Sequence, residues 1–259
     1  MIGCGTWQTF DVGPSPDERA PRAEVLRALF AGGGSVVDSS PMYGRAEGVV
    51  GDLLAAAGSR DRAFLATKVW TLGRAEGIAQ MERSMALLKA DRIDLMQVHN
   101  LVDWRTHLAT LRDWKAQGRI RYLGVTHYTS SAYGELEALM RAEPLDFVQV
   151  NYVLDDREAE RRILPLAAER GMAVLINMPF GGGGLLRRLL PRPLPPVAEE
   201  MSCTSWAQAL LKFVLGHPAV TCAIPGTAKP EHIADNLRAG SGPFPDKAMR
   251  AALVAAASL

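Results

Sequence analysis

Short apolar segments alternate with segments of helical periodicity along this chain, and this alternation limits the folds that it can adopt. Eight apolar segments read as strands, at residues 2–5, 36–39, 64–69, 93–99, 120–126, 147–152, 173–177 and 221–224. Each is followed by a predicted helix, at residues 22–31, 46–57, 78–88, 105–116, 131–141, 157–170, 204–215 and 231–239, and a last helix is predicted at 246–257. Short strands that are apolar on both faces are typical of a parallel sheet covered by helices.

Eight strand–helix units in 259 residues match the size of an α/β protein of the (β/α)8 TIM barrel type. The alternative is a doubly wound open sheet, which requires a GxGxxG turn after its first strand. Gly3 and Gly5 supply the first two glycines of that turn, but Gln8 stands where the third is needed. We find no linker long enough to divide the chain, so we predict one domain over residues 1–259.

The charge balance argues against a polyanionic partner. Lys plus Arg is 29 and Asp plus Glu is 28, so neither nucleic acid nor an anionic membrane surface is expected to bind. No apolar run approaches the length of a membrane span, and no signal peptide is visible. Cys4, Cys203 and Cys222 are widely spaced, which predicts reduced thiols and a cytoplasmic protein. The chain starts almost within its first predicted strand, so the sequence leaves undecided whether a further segment or an export signal lies upstream of Met1.

Polar residues end three consecutive predicted strands. Asp38 ends the second strand, Lys68 lies near the end of the third, and His99 ends the fourth. In a TIM barrel the carboxyl ends of the strands meet at one mouth, where the chemistry of such proteins occurs. Tyr43 follows Asp38 in the loop above that mouth. A lysine near a barrel core needs a carboxylate partner, and Asp38 is the natural one.

Each of these four residues has a structural explanation when it is taken alone. Asp38 could cap a turn, Lys68 could be a solvated strand end, His99 could be a core histidine, and Tyr43 could be a packed loop aromatic. Together they favour a site for proton transfer. A tyrosine pKa of about 10 is too high for efficient donation, and a neighbouring ammonium lowers it. None of the four can donate hydride, so a carbonyl reduction would need a cofactor.

Two loops on the other side of the predicted mouth could bind an anion. The loop after the seventh strand contains four consecutive glycines, Gly181 to Gly184, whose backbone N–H groups can approach a phosphate. The loop after the eighth strand places Gly226 and Thr227 before a helix N-terminus, with Lys229 and His232 nearby. A flexible loop and an ordinary capped helix are the structural alternatives.

These residues resemble the aldo-keto reductase superfamily. Asp38 directly precedes the segment SSPMYG, which contains Tyr43, while Lys68 lies within ATKVW and His99 within DLMQVHN. All four match the catalytic tetrad of that family. The resemblance continues through residues 118–126, 147–152 and 224–236, and so covers nearly the whole chain in order. It implies a (β/α)8 barrel that binds NADP(H) across its mouth. It also implies that Tyr43 is the general acid, that Lys68 paired with Asp38 lowers its pKa, and that His99 orients the carbonyl group.

The resemblance also implies a cofactor site and a substrate wall. The implied cofactor residues are Thr6, Trp7, Asp38, Thr126, His127, Gln149, Phe180, Gly181, Gly183, Gly226, Thr227, Lys229, His232, Asp235 and Asn236. The residues expected to line the substrate are Trp7, Met42, Trp70, Asn100 and Trp104. Three indoles there suggest an apolar or aromatic aldehyde or ketone, although one or more could simply pack loop against loop.

Several positions depart from the family's common pattern. His127 stands where many members have asparagine, Asn177 where many have an aromatic residue that stacks on nicotinamide, and His232 where many have arginine. Lys229 is then the candidate for the 2′-phosphate of NADPH, and NADH stays an alternative. The N-terminal hairpin that closes the barrel bottom in the family is not found in this sequence.

We therefore expect an NADP(H)-dependent reductase that acts on a small aldehyde or ketone. One alternative is an NADP(H)-binding regulatory or accessory protein with negligible turnover. A metal-dependent barrel hydrolase is less consistent with the sequence, because its five histidines include no HxH pair. We accordingly predict no metal site.

Overall fold

The computed structural model describes residues 1–258 and contains eight parallel strands that lie side by side in chain order. The strands are β1 (Cys4–Gly5), β2 (Val36–Asp38), β3 (Phe64–Val69), β4 (Ile93–His99), β5 (Ile120–His127), β6 (Phe147–Asn151), β7 (Ala173–Asn177) and β8 (Cys222–Ala223). The bounds of β3, β4 and β7 are the ones predicted from the sequence. The TIM-barrel prediction is confirmed.

Strands β1 and β8 close the sheet, although each is two residues long. The Gly3 N–H donates to the Ala223 carbonyl over 2.8 Å, and the Gly5 N–H donates to the Pro225 carbonyl over 3.2 Å. These bonds join the first strand to the last and form the seam of the barrel. The open-sheet alternative is therefore wrong.

Helices follow the strands on the outside of the barrel. They are α1 (Pro16–Ala31), α2 (Ala46–Ala56), α3 (Arg74–Leu87), α4 (Trp104–Ala116), α5 (Tyr133–Ala142), α6 (Ile163–Glu169), α7 (Gly184–Leu189), α8 (Pro196–Glu200), α9 (Trp206–Leu215), α10 (Pro230–Arg238) and α11 (Lys247–Ser258). None of the helices in residues 1–258 combines the length and the apolar character that a membrane span requires.

Three of the predicted segments differ most from the structure. Helix α1 begins at Pro16, six residues earlier than predicted, because proline and the acidic Asp17 and Glu18 all favour a helix N-terminus. The predicted helix at 157–170 begins as a 3-10 turn, and α6 starts at Ile163. The predicted loop at 181–196 contains α7, whose Leu185 and Leu189 are buried one helical turn apart.

Inward-facing side chains form layers inside the barrel. The apolar middle layer consists of Val36, Ala66, Leu95, Leu175, Cys222 and Ile224. Below it, the rings of Phe64, Tyr122 and Phe147 pack with centroids 5.4–6.1 Å apart. Because side chains alternate along a strand, the next inward residues toward the carboxyl ends form a further layer. That layer is polar and contains the candidate active site.

Candidate active site

A buried ion pair joins the ends of β2 and β3. Lys68 Nζ lies 2.6 Å from Asp38 Oδ2, and the two side chains are 0% and 3% exposed. Lys68 Nζ also donates to the Ser39 carbonyl over 2.6 Å. Burial is the largest single influence and would lower the pKa of Lys68, but the charges and hydrogen bonds of Asp38 and Tyr43 together outweigh burial and raise that pKa. Lys68 is therefore held as an ammonium ion in a site that excludes water.

Two glutamine amides hold the other oxygen of Asp38. Asp38 Oδ1 accepts hydrogen bonds from Gln149 Nε2 over 2.9 Å and from Gln97 Nε2 over 3.2 Å. The two glutamines also contact each other, because Gln149 Nε2 donates to Gln97 Oε1 over 3.1 Å. Sequence reasoning missed Gln97. Its position two residues before His99 on β4 was the available signal, since such residues share one face of a strand.

Tyr43 lies above this pair in the loop between β2 and α2. Lys68 Nζ is 5.0 Å from the centre of its ring. Burial raises the pKa of the Tyr43 phenol, and the charge of Lys68 opposes that rise without cancelling it. The predicted net lowering of this pKa is therefore wrong, although Lys68 acts in the predicted direction. The phenol carries its proton at neutral pH, as a proton donor must.

His99 is a neutral hydrogen-bond donor beside Tyr43. The two rings meet edge to face with centroids 6.1 Å apart. Burial and the charge of Lys68 lower the pKa of His99 to about 3. Its Nδ1 lies 3.1 Å from Ser40 Oγ. Ser40 Oγ in turn accepts a hydrogen bond from the Met42 N–H over 3.4 Å. We assign the Ser40 hydroxyl as the hydrogen-bond donor and His99 Nδ1 as the acceptor, so the proton of the neutral ring is on Nε2.

Acceptor atoms line one side of the polar layer. Gln149 Oε1 accepts from Thr126 Oγ1 over 3.3 Å and from Asn177 Nδ2 over 3.5 Å. Among the residues that the structure describes, Asn177 Oδ1 is buried without a hydrogen-bond partner. A buried acceptor without a donor is unfavourable. These groups therefore fit a ligand that brings an N–H donor, as a nicotinamide carboxamide does.

His127, the last residue of β5, is also a neutral donor. Its Nδ1 accepts the Thr129 N–H over 3.2 Å, and its ring stacks on Tyr128 with an interplanar angle of 4°. Burial lowers its pKa. A neutral ring whose Nδ1 is an acceptor carries its proton on Nε2. His127 can therefore donate where the family's common asparagine would lie.

The predicted substrate residues do not all lie in the same kind of environment. Trp7, Met42 and Trp70 are 48%, 42% and 41% exposed, and the Trp70 ring centroid is 6.4 Å from that of His99. Trp104 is half-buried and packs against the core. Asn100 has φ +52° and a buried Oδ1 without a partner in residues 1–258. Trp70 is thus the predicted wall residue that the structure places beside His99.

The residues around β1 and β7 have distinct environments. Thr6 is buried, and its Oγ1 donates to the Asp38 carbonyl over 3.0 Å. Phe180 is half-buried against the core. Gly181 and Gly183 have φ +60° and +85°, a conformation that favours glycine, and their loop leads directly into α7.

The loop after β8 carries exposed and buried groups. Gly226 pairs with Gly5 across the seam. Thr227 is buried, and its Oγ1 accepts the Lys229 N–H over 3.1 Å. Lys229 and His232 are exposed. A lysine and a histidine side chain thus face solvent at the start of α10.

Asp235 and Asn236 are placed differently from the rest of this set. Both oxygens of Asp235 are engaged at 2.5 Å, one by Ser205 Oγ and the other by Gln208 Nε2. Asn236 is 3% exposed. Asp235 thus joins α9 to α10, and a role in holding adenosine stays a prediction for both residues.

The fold and the site together define a class of protein: a (β/α)8 barrel with a tyrosine, a histidine and an ion-paired lysine at the carboxyl ends of its strands. A family model described as "Aldo/keto reductase family" matches residues 1–253. The chain belongs to this family.

Individual relatives agree with this assignment. The chain is 32% identical over 242 residues to methylglyoxal reductase YeaE of Escherichia coli (strain K12), which covers 91% of this chain and 83% of that protein. An aldo-keto reductase from Klebsiella pneumoniae, solved in complex with NADPH, superimposes with a TM-score of 0.82 at 29% identity. The match covers 97% of this chain and 89% of that one. A second structure described as an aldo/keto reductase from that organism, in complex with NADP and acetate, gives the same values.

Proposed function

We propose that this protein reduces the carbonyl group of an aldehyde or ketone with NADPH and that Tyr43 is the general acid. One observation carries the proposal: the Tyr43 phenol lies beside a buried Lys68–Asp38 ion pair and the His99 ring at the carboxyl end of the barrel. Family membership and the NADPH complex of the Klebsiella pneumoniae relative support it.

NADPH, when bound, supplies the hydride that this chain's side chains lack. Asn177 Oδ1, which is buried without a partner in the described residues, would accept a hydrogen bond from its carboxamide, and Gln149 Oε1 would accept another in place of its 3.5 Å bond from Asn177 Nδ2. The glycines at 181–183 would pass the pyrophosphate. Lys229 is the proposed partner of the 2′-phosphate, which favours NADPH over NADH.

The side chains of this site can bind, orient and protonate a carbonyl oxygen. His99 Nε2–H would donate to that oxygen and fix its direction. Tyr43 would transfer its proton to the same oxygen as the carbon is reduced, so that the product is an alcohol. The phenolate left behind lies beside the Lys68 ammonium, which stabilises it until solvent returns a proton. Asp38 keeps Lys68 charged throughout.

The substrate class follows from the exposed wall and from the family relative. Trp7, Met42 and Trp70 present apolar surface at the mouth, which suits an aromatic or aliphatic carbonyl compound. The Escherichia coli relative is named for methylglyoxal, a small 2-oxoaldehyde. We propose small 2-oxoaldehydes and aromatic aldehydes as the first substrates to assay. The three buried free cysteines support our proposal of a cytoplasmic setting.

The test compares Tyr43→Phe with Tyr122→Phe, a tyrosine at the opposite end of the barrel. Turnover of methylglyoxal and benzaldehyde is followed by the loss of NADPH absorbance, and binding of NADPH and NADH by quenching of protein fluorescence. We expect Tyr43→Phe to abolish turnover while binding NADPH normally, and Tyr122→Phe to behave as the wild type. Full turnover by Tyr43→Phe would exclude Tyr43 as the acid. NADPH binding without wild-type turnover of any aldehyde would instead favour a regulatory protein.

A further inference from the structure

We propose that Gln97 is a positioning residue of this site, one that fixes both the carboxylate of Asp38 and the amide of Gln149. The proposal rests on the proposed function, because positioning has a consequence only if the site reduces a carbonyl group. Gln97 itself does not touch the predicted positions of cofactor or substrate; it acts through its two partners.

Gln97 is held between those partners by its place in the sheet. It lies on β4 in register with Lys68 on β3 and with Gly124 on β5, and it is fully buried. Its Nε2 donates to Asp38 Oδ1 over 3.2 Å, and its Oε1 accepts from Gln149 Nε2 over 3.1 Å. Both ends of the amide are therefore in use, which gives the side chain one favourable orientation.

The first consequence concerns Asp38. Neutral amide donors from Gln97 and Gln149 occupy Oδ1, so Oδ2 is left to face Lys68 at 2.6 Å. A carboxylate held in this way cannot turn to share both oxygens with the lysine. Lys68 Nζ then stays where it contacts the Tyr43 ring face.

The second consequence concerns Gln149. Its Nε2 hydrogens point to two oxygens, Asp38 Oδ1 and Gln97 Oε1, so its Oε1 must face Thr126 and Asn177. A flipped amide would place Oε1 against those same two oxygens, which is repulsive. Gln97 therefore helps to present an acceptor where a carboxamide N–H would bind.

Two substitutions separate this role from simple packing. Gln97→Met keeps the size of the side chain and removes its donor and acceptor. Gln97→Glu keeps the shape and, when protonated, can still donate to Asp38. The charged or titratable groups near position 97 are Asp38 on β2, Lys68 on β3 and His99 on β4, while β5 presents Gly124 and β6 presents the neutral Gln149. Burial and Asp38 both favour the neutral form of a glutamic acid here.

We expect Gln97→Met to fold, to bind NADPH several-fold more weakly and to lose about tenfold or more in kcat, because a buried hydrogen bond to a charged group is lost. Gln97→Glu should approach wild-type kcat at low pH and fall below it as the pH rises, when the new carboxylate ionises against Asp38. As a control, Thr110→Val removes a buried hydroxyl group on α4, away from the polar layer, and should leave the pH profile of kcat unchanged.

The outcomes distinguish the two proposals. If the wild type reduces aldehydes and both Gln97 variants show its kcat within twofold and its pH profile, Gln97 is a packing residue and the inference fails alone. If both variants lose activity equally at every pH, the positioning role also fails, since the protonated glutamic acid should rescue it. If the wild type reduces no aldehyde, the proposed function fails and takes this inference with it.

Discussion

Thr67 Oγ1 donates a hydrogen bond of 2.5 Å to Glu47 Oε1, and both side chains are buried. Thr67 precedes Lys68 on β3, whereas Glu47 lies in the first turn of α2, directly after the Tyr43 loop. Ser84 of α3 donates to the other oxygen over 3.1 Å. This buried carboxyl group thus links the segment that carries the proposed acid to the strand that carries the lysine.

Glu47 should make stability depend on pH. Burial raises its pKa above the ordinary value of 4.5, and the two hydroxyl donors only partly oppose this. The folded state therefore holds a proton that the unfolded state releases, so wild-type stability should fall as the pH rises above about 4.5. Glu47→Gln should not show that fall, as measured by urea unfolding at several pH values. Glu169→Gln, an exposed control, should retain it. Parallel stability curves for Glu47→Gln and the wild type would contradict the prediction.

Replacing Lys68 alone should lower the free energy of unfolding more than replacing Lys68 and Asp38 together. Lys68→Met leaves the Asp38 carboxylate buried without its cation, and the free energy of unfolding should fall by about 3–5 kcal/mol. The double variant Asp38→Asn with Lys68→Met buries no charge at this place and should recover part of that loss. Chemical denaturation measures both. A double variant as unstable as the sum of its single variants would show that the two residues do not interact.

His99 should stay neutral over the working range of the protein. Burial and Lys68 lower its pKa from 6.5 to about 3, so the folded state resists a proton that the unfolded state accepts. Stability linked to His99 is therefore complete above pH 6.5 and is lost as the pH falls toward 3. His99→Gln should flatten the acid side of the stability curve. A wild-type His99 imidazole signal that titrates near pH 6.5 by NMR would contradict this assignment.

Gly44 should matter for turnover beyond its effect on stability. It follows Tyr43 with φ +61°, and an added Cβ would collide with the carboxylate of Asp11. Gly58 has a similar φ of +58° with nothing within 4 Å, so it is a matched control. Alanine at either position should lower the free energy of unfolding by about 1–2 kcal/mol. Only Gly44→Ala should also displace Tyr43 and reduce kcat, and equal kcat for the two variants would refute this.

Much of the fold could be predicted because its strands are short apolar runs between glycines and helices. Lys68 and His99 could be assigned to one mouth because parallel strands end at the same edge. Gln97 and Glu47 could not be found in this way. Gln97 lies within an apolar strand and Glu47 within a helix, and their importance depends on partners more than ten residues away along the chain. The direction of the Tyr43 pKa was also beyond the sequence, because it depends on how deeply the ring is buried.

The seam between β1 and β8 implies that the proposed cofactor also stabilises the closed barrel. These two strands are the shortest of the eight, and residues predicted to contact the cofactor follow both of them, Thr6 on one side and Gly226 on the other. A molecule that contacts the residues after both strands would stabilise the pairing of β1 with β8. Ligand binding and closure of the β1–β8 seam would then be thermodynamically coupled. Backbone amide hydrogens at this seam would therefore exchange with solvent more slowly when the ligand is bound.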